Sequence, residues 1–217
     1  MTKGGWLLSL VVLSSACGSN PGGDDPAEPI ARLTGSLTGD LGGAEADSPF
    51  LGILWVNKEA DDEASLLDVA DVAPVELPGS FEFPIFDAPA PDRVSAIEDD
   101  SGRAVGELAM GWLVALDDGD ADGTFTRVGW ELQGDDRYLG VAWLHHVIWV
   151  GAQPPAAELP YITNAELLTP GFHVLRTVCG GGPDVFEVAD PASPVEIRLF
   201  DPIVALEENT LDDDFCP

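Results

Sequence analysis

The run YLGVAWLHHVIWV at residues 138–150 is apolar on both of its alternating faces. The alternating sets are Val141, Trp143, Val147 and Trp149 on one side, and Ala142, Leu144, Ile148 and Val150 on the other. A strand with two apolar faces is typical of the middle of a sheet that is covered on both sides. The run falls short of the roughly 20 apolar residues that a membrane-spanning helix needs, and His145 and His146 interrupt it. It therefore predicts a central β-strand.

The chain on either side of this run has a similar character, with short apolar or alternating runs separated by Gly, Pro and Asp. Such runs are typical of strands. The predicted strands are residues 31–37, 50–57, 81–86, 93–97, 104–116, 124–132, 138–150, 172–178 and 196–200. Alternation is clearest in residues 124–132, where Val128, Trp130 and Leu132 share one face, which predicts a strand with one wet face. Only residues 63–69 and 164–168 suggest helices, and both are brief.

These patterns predict an all-β fold, a β-sandwich of the immunoglobulin or prealbumin type, with few or no helices after the amino-terminal segment. With 45% hydrophobic residues, the chain can support a sizeable core. We expect one domain over residues 30–217. Sandwiches of this class serve many unrelated functions, so the fold alone predicts none.

The amino terminus has the layout of a secretory signal peptide over residues 1–16. Lys3 is followed by the apolar run 6–13 and by the small residues 14–16. The junction LSSAC at residues 13–17 resembles the lipobox of bacterial lipoproteins, with Ser14 where that family usually has Leu. The resemblance implies that Cys17 carries acyl chains such as palmitate, which would hold the protein on a membrane. The alternative is ordinary signal cleavage nearby, which would leave a free thiol.

Residues 17–29 are rich in Gly, Pro and Asp and predict a flexible tether between the anchor and the domain. Among lipoproteins, Asp after the acylated cysteine favours retention at the inner membrane, and this chain has Gly18 there. The resemblance therefore implies the outer membrane, on its periplasmic or surface face.

Two further sequence-wide features concern charge and cysteine. After residue 16, 8 basic residues stand against 39 acidic ones, a formal charge of −31, which disfavours nucleic acid and anionic lipid surfaces as partners. With Cys17 assigned to lipid, Cys179 and Cys216 remain as an even pair in an oxidising compartment, which predicts a disulfide that ties down the acidic tail 207–214. Two free thiols or a metal pair are the alternatives.

The segment DDGDADGTF at residues 117–125 carries acids at alternate positions followed by Gly123. It resembles the D-x-D-x-D-G loops of extracellular calcium modules such as thrombospondin type 3 repeats and integrin propeller hairpins. It departs from the EF-hand, since Gly129 occupies the place of the bidentate Glu. The candidate calcium ligands are Asp118, Asp120, Asp122 and Thr124, with Asp135 or Asp136 as a further ligand if the next turn folds back. An acidic hairpin turn without a metal is the alternative.

The chain has no G-x-S-x-G, H-E-x-x-H or phosphate-loop motif. Adjacent strand residues face opposite ways, so His145 and His146 cannot chelate one zinc ion together. The leading hypothesis is a non-enzymatic, calcium-stabilised envelope lipoprotein that binds an envelope protein or polysaccharide. The competing hypothesis is a carboxylate-dependent hydrolase of envelope glycans, which would need a deep pocket with two convergent acids, one of raised pKa.

Overall fold

In the computed structural model, the described residues are 28–56, 66–99, 101–125, 127–128, 131–152, 159, 161–179, 185–190 and 193–200. Their regular structure is almost entirely β, as predicted. The strands are β1 Ala31–Gly39, β2 Pro49–Val56, β3 Leu66–Pro74, β4 Gly79–Ile85, β5 Ser95–Glu98, β6 Ala104–Asp117, β7 Arg127–Val128, β8 Glu131–Leu132, β9 Arg137–Val141, β10 His145–Ala152, β11 Ile162–Thr163, β12 Gly171–Thr177, β13 Phe186–Val188 and β14 Val195–Leu199. Two 3₁₀ turns, Pro91–Arg93 and Ala165–Leu167, complete the regular structure.

Strand β6 organises the sheet because it has partners along both edges. On one edge it pairs with β2 and then β5, and on the other with β9 and then β10, all antiparallel. From there the sheet continues through β10, β12, β13 and β11 in one direction and through β9, β14, β1 and β4 in the other. The β1–β14 and β11–β13 pairs are parallel, so the sheet is mixed.

The hydrophobic core lies on both faces of β6. Leu113 and Ala115 belong to a large buried cluster that includes Trp55, Phe83 and Ile197. The intervening side chains of Val114 and Leu116 belong to a second cluster on the opposite face. This two-sided burial fits the β-sandwich class. The strand content confirms the all-β prediction, and the immunoglobulin or prealbumin topology stays a prediction.

The predicted strand at residues 138–150 is correct in its two covered faces but wrong in its continuity. β9 and β10 lie end to end along one edge of β6, and residues 142–144 form a turn between them. Val141 pairs with Val114, and Val147 pairs with Gly111. An advance of six residues along this segment therefore corresponds to an advance of only three residues along β6. The extra residues let β9 leave toward β14 while β10 leaves toward β12.

Two other predictions need correction. Residues 124–132 are not one strand, because β7 and β8 pair with each other as an antiparallel hairpin, with Arg127 opposite Leu132. Residues 66–69 of the predicted helix 63–69 belong to β3, which pairs with β2; residues 57–65 lie outside the described residues. The short helical prediction at residues 164–168 is confirmed by the 3₁₀ turn there. No helix in the described ranges is long and apolar enough to cross a membrane.

Candidate metal centre

The register of β6 against β9 creates the candidate site. Asp117, the last residue of β6, pairs with Arg137, the first residue of β9. Their neighbours Asp118 and Asp136 therefore leave the sheet side by side, although they are 18 positions apart in the chain. Three of the four buried polar residues in the described part of the chain are in this region: Asp117, Asp118 and Asp136.

Carboxylate oxygens of Asp118, Asp120 and Asp136 lie within 4.8 Å of one another, and we call these residues the Asp triad. Calcium binds its oxygen ligands at about 2.3–2.6 Å, so two ligands of one ion can lie up to about 5 Å apart. The spacing of the triad therefore fits a single hard cation. Asp118 and Asp136 are buried, whereas Asp120 is exposed, which leaves one side of the triad open to solvent.

The loop after Asp118 is wrapped around the carboxylate of that residue. Asp122 N–H donates to Asp118 Oδ1 at 3.1 Å, and Gly123 N–H donates to Asp118 Oδ2 at 2.9 Å. Asp122 N–H also lies 3.1 Å from Asp120 Oδ1. The positive φ angles of Ala121 (57°) and Gly123 (73°) give the chain the tight curvature that these bonds need. Each bonded oxygen keeps a second lone pair with which it can bind a cation.

The other two predicted ligands, Asp122 and Thr124, do not belong to the Asp triad. Asp122 Oδ1 accepts a hydrogen bond from Thr124 N–H at 2.6 Å, and both residues are exposed. Their roles as ligands stay predictions. Of the two further ligands suggested by the sequence, Asp136 is the one that the structure brings into the triad.

The environment of Asp136 favours its neutral form. Burial is the main cause that raises its pKa, and the nearby negative charges of Asp120, Asp118 and Asp122 raise it further. The hydrogen bond from Gly119 N–H to Asp136 Oδ1, 3.2 Å long, acts in the opposite direction. A raised pKa means that folding is favoured below the unfolded-state value and that this contribution is lost as the pH rises through the folded-state value. The negative charge of Asp136 therefore opposes folding, and a bound cation would offset that cost.

Gly119 lets the loop after β6 and the segment before β9 approach each other closely. A Cβ atom at this position would lie 2.1 Å from the backbone oxygen of Asp135, well inside van der Waals contact. Only glycine fits there without moving the segment that carries Asp136. The short distance between these two segments therefore requires glycine at position 119.

A network beneath the triad fixes Asp117, which the sequence analysis did not single out. Its Oδ1 accepts hydrogen bonds from Asp47 N–H (3.0 Å) and Ser48 N–H (2.9 Å), and its Oδ2 accepts from Arg137 Nη2. Arg137 Nη2 also donates to the Glu45 carbonyl at 3.1 Å. The only signal in the sequence is that Asp136 and Arg137 directly precede the predicted strand at residues 138–150.

The remaining predicted site residues are cysteines. Cys17 and Cys216 lie outside the described residues, while Cys179 follows β12 in an exposed turn. Acylation of Cys17 and the pairing of Cys179 with Cys216 stay predictions. No family model, curated protein or solved structure matches this chain.

Proposed function

We propose that this protein is a non-enzymatic lipoprotein of the cell envelope whose β domain is stabilised by calcium at the Asp triad. The observation that carries the proposal is the convergence of Asp118, Asp120 and Asp136 from two separate segments. Three carboxylates on a folded scaffold form a hard, anionic oxygen site. Calcium takes six to eight such ligands in flexible geometry, so backbone carbonyls and water can complete its coordination.

Other common metals suit these ligands less well. Zinc sites in proteins are dominated by cysteine and histidine, and the triad contains neither. Magnesium keeps most of its water and demands near-ideal octahedral geometry, so it is commonly held by only one or two carboxylates. The ion has a structural role in this proposal: it neutralises a loop in which like charges oppose folding.

The lipid anchor is supported by the sequence of residues 1–17. In the proposal, the tether holds the domain at the outer membrane, where it binds an envelope protein or polysaccharide. Cells fed labelled palmitate should incorporate the label into the wild-type protein and not into the Cys17→Ser variant. An unlabelled wild-type protein would contradict the anchor and leave the calcium claim intact.

The competing hydrolase hypothesis places its two acids in a deep pocket. Among the described residues, the carboxyl with a raised pKa is Asp136, and it lies in the Asp triad. The described cavity near residues 39–49 does not include any triad residue in its wall. We therefore do not propose catalysis at the triad.

We expect calcium to raise the thermal stability of the purified protein. With a dissociation constant of about 10⁻⁴ to 10⁻³ M, typical of extracellular sites, about 10 mM calcium would contribute about 1.4 to 2.7 kcal/mol. For a domain of this size, that corresponds to an increase of about 3 to 10 °C in Tm relative to EDTA. The double variant Asp120→Ala, Asp122→Ala should lose the increase. Equal Tm values of the wild type in calcium and in EDTA would remove the metal claim.

A further inference from the structure

A cavity of about 570 Å³ opens where β1 and β14 end, next to the segment that joins β1 to β2. Its floor is apolar: Leu199 is a buried core residue, and Leu41 and Leu77 pack against the same core cluster. Small-molecule sites are commonly concave, mostly apolar and about 300–1,000 Å³ in volume. The size and floor of this cavity fit that description.

The polar lining of the cavity has one sign of charge. Asp40, Glu45 and Asp47 are exposed and contribute to the wall, and the described lining contains no Lys, Arg or His. Carboxylates that share a partly apolar cavity create a negative potential that attracts cations and repels anions. Charge complementarity therefore favours a cationic ligand over a carboxylate, a phosphate or a nucleotide.

Hydrogen bonds hold the wall that carries these acids in place. Gly42 N–H donates to Asp40 Oδ1 at 2.7 Å. At the other end of the segment, Asp117 Oδ1 accepts from the backbone N–H groups of Asp47 and Ser48, and Arg137 Nη2 donates to the carbonyl of Glu45. A fixed wall loses little conformational freedom when a ligand binds, which reduces the cost of association.

We propose that this cavity binds a small organic cation. A primary ammonium or guanidinium group lies at the rim formed by Asp40, Glu45 and Asp47, where it forms charge-assisted hydrogen bonds. A short aliphatic body lies on the floor formed by Leu41, Leu77 and Leu199, out of water. Neither interaction involves the Asp triad, so binding in this cavity does not depend on calcium at the triad.

The test uses hexylammonium chloride as the probe, with the full chain in EDTA at physiological salt to suppress weak binding to other acids. Binding is followed by the amide NMR shifts of residues 39–47. The variant Glu45→Gln, Asp47→Asn keeps the shape of both side chains and removes two charges from the rim. The matched control Asp92→Asn, Glu98→Gln removes the same charge from exposed positions that do not line the cavity.

We expect saturable shifts centred on residues 39–47 in the wild type. The rim variant loses two exposed ion pairs, each of which is weakened by solvent, so it should bind about fivefold more weakly, whereas the control should bind within about twofold of the wild type. The uncharged analogue 1-hexanol should bind more weakly than hexylammonium. Equal affinity of the wild type and the rim variant, or shifts that spread over the acidic surface without saturating, would overturn the proposal. Melting curves of both variants establish that each is folded at the temperature of the measurement.

Discussion

Replacement of Asp117 by alanine is expected to lower the free energy of unfolding by about 3 kcal/mol or more. Removal of one partner of a buried ion pair typically costs about 3–5 kcal/mol, because the other partner is left without compensation. Asp117 is fully buried, while the Arg137 side chain is 35% exposed, so solvent screening places the expected loss near the lower end of that range. The N–H groups of Asp47 and Ser48 would lose their acceptor as well.

Urea denaturation of the wild type, Asp117→Ala and Asp117→Asn measures this effect. The asparagine variant keeps an oxygen that can accept from the two backbone N–H groups but lacks the charge that pairs with Arg137. Its loss should therefore be smaller than that of the alanine variant. A loss below about 1 kcal/mol for Asp117→Ala would mean that Asp117 does not hold the β1–β2 connection in place.

Acid is expected to destabilise the domain through His146. This side chain is buried between Trp112, with ring centroids 5.4 Å apart, and Phe186, at 4.9 Å. Burial, with a smaller effect from the charge of His145, lowers the pKa of His146 from 6.5 to about 4. Since the neutral form is favoured in the folded state, the stability is fully present above pH 6.5 and is lost as the pH falls to about 4. The difference in pKa corresponds to a loss of about 3 kcal/mol.

The measurement is the free energy of unfolding between pH 7 and pH 4 in EDTA for the wild type and His146→Phe. Phenylalanine keeps an aromatic ring among the same neighbours and has no group that titrates. Asp136, which acts in the opposite direction, titrates in both proteins and cancels in the difference. His145, whose pKa burial also lowers, titrates in both as well, so the difference contains only its coupling to His146. His173→Gln serves as the control, because that histidine hydrogen-bonds Thr169 in a more accessible position. If the wild type and His146→Phe had parallel pH profiles, His146 would have no such role.

Much of the fold could be predicted from alternation in the sequence. In β1, Leu33 is buried between exposed neighbours and Leu37 between half-buried ones, and in β14 the buried residues Val195, Ile197 and Leu199 alternate with exposed ones. Such patterns depend only on the two-residue period of a strand, so they can be read locally. β3 was missed because Leu, Ala and acidic residues also suit a helix. The partner that makes this segment a strand, β2, is not visible in local sequence.

The candidate site was predictable only in its local part. The alternating acids after Asp117 indicated a loop with converging carboxylates, and the structure places Asp118 and Asp120 together. The third carboxylate, Asp136, depends on the pairing of Asp117 with Arg137, and alternation does not determine which residues of two strands are opposite each other. For the same reason, the interruption at residues 142–144 could not be foreseen: it exists because β9 and β10 have different outer partners.

The most direct test of the proposed calcium centre is the calcium-induced increase in Tm, measured side by side in the wild type, Asp136→Asn and Asp135→Asn. Both variants lose one negative charge, at adjacent positions, but only Asp136 belongs to the Asp triad. We expect Asp136→Asn to lose most of the increase and Asp135→Asn to keep it. A full increase in Asp136→Asn, or equal losses in both variants, would contradict a centre built from Asp118, Asp120 and Asp136.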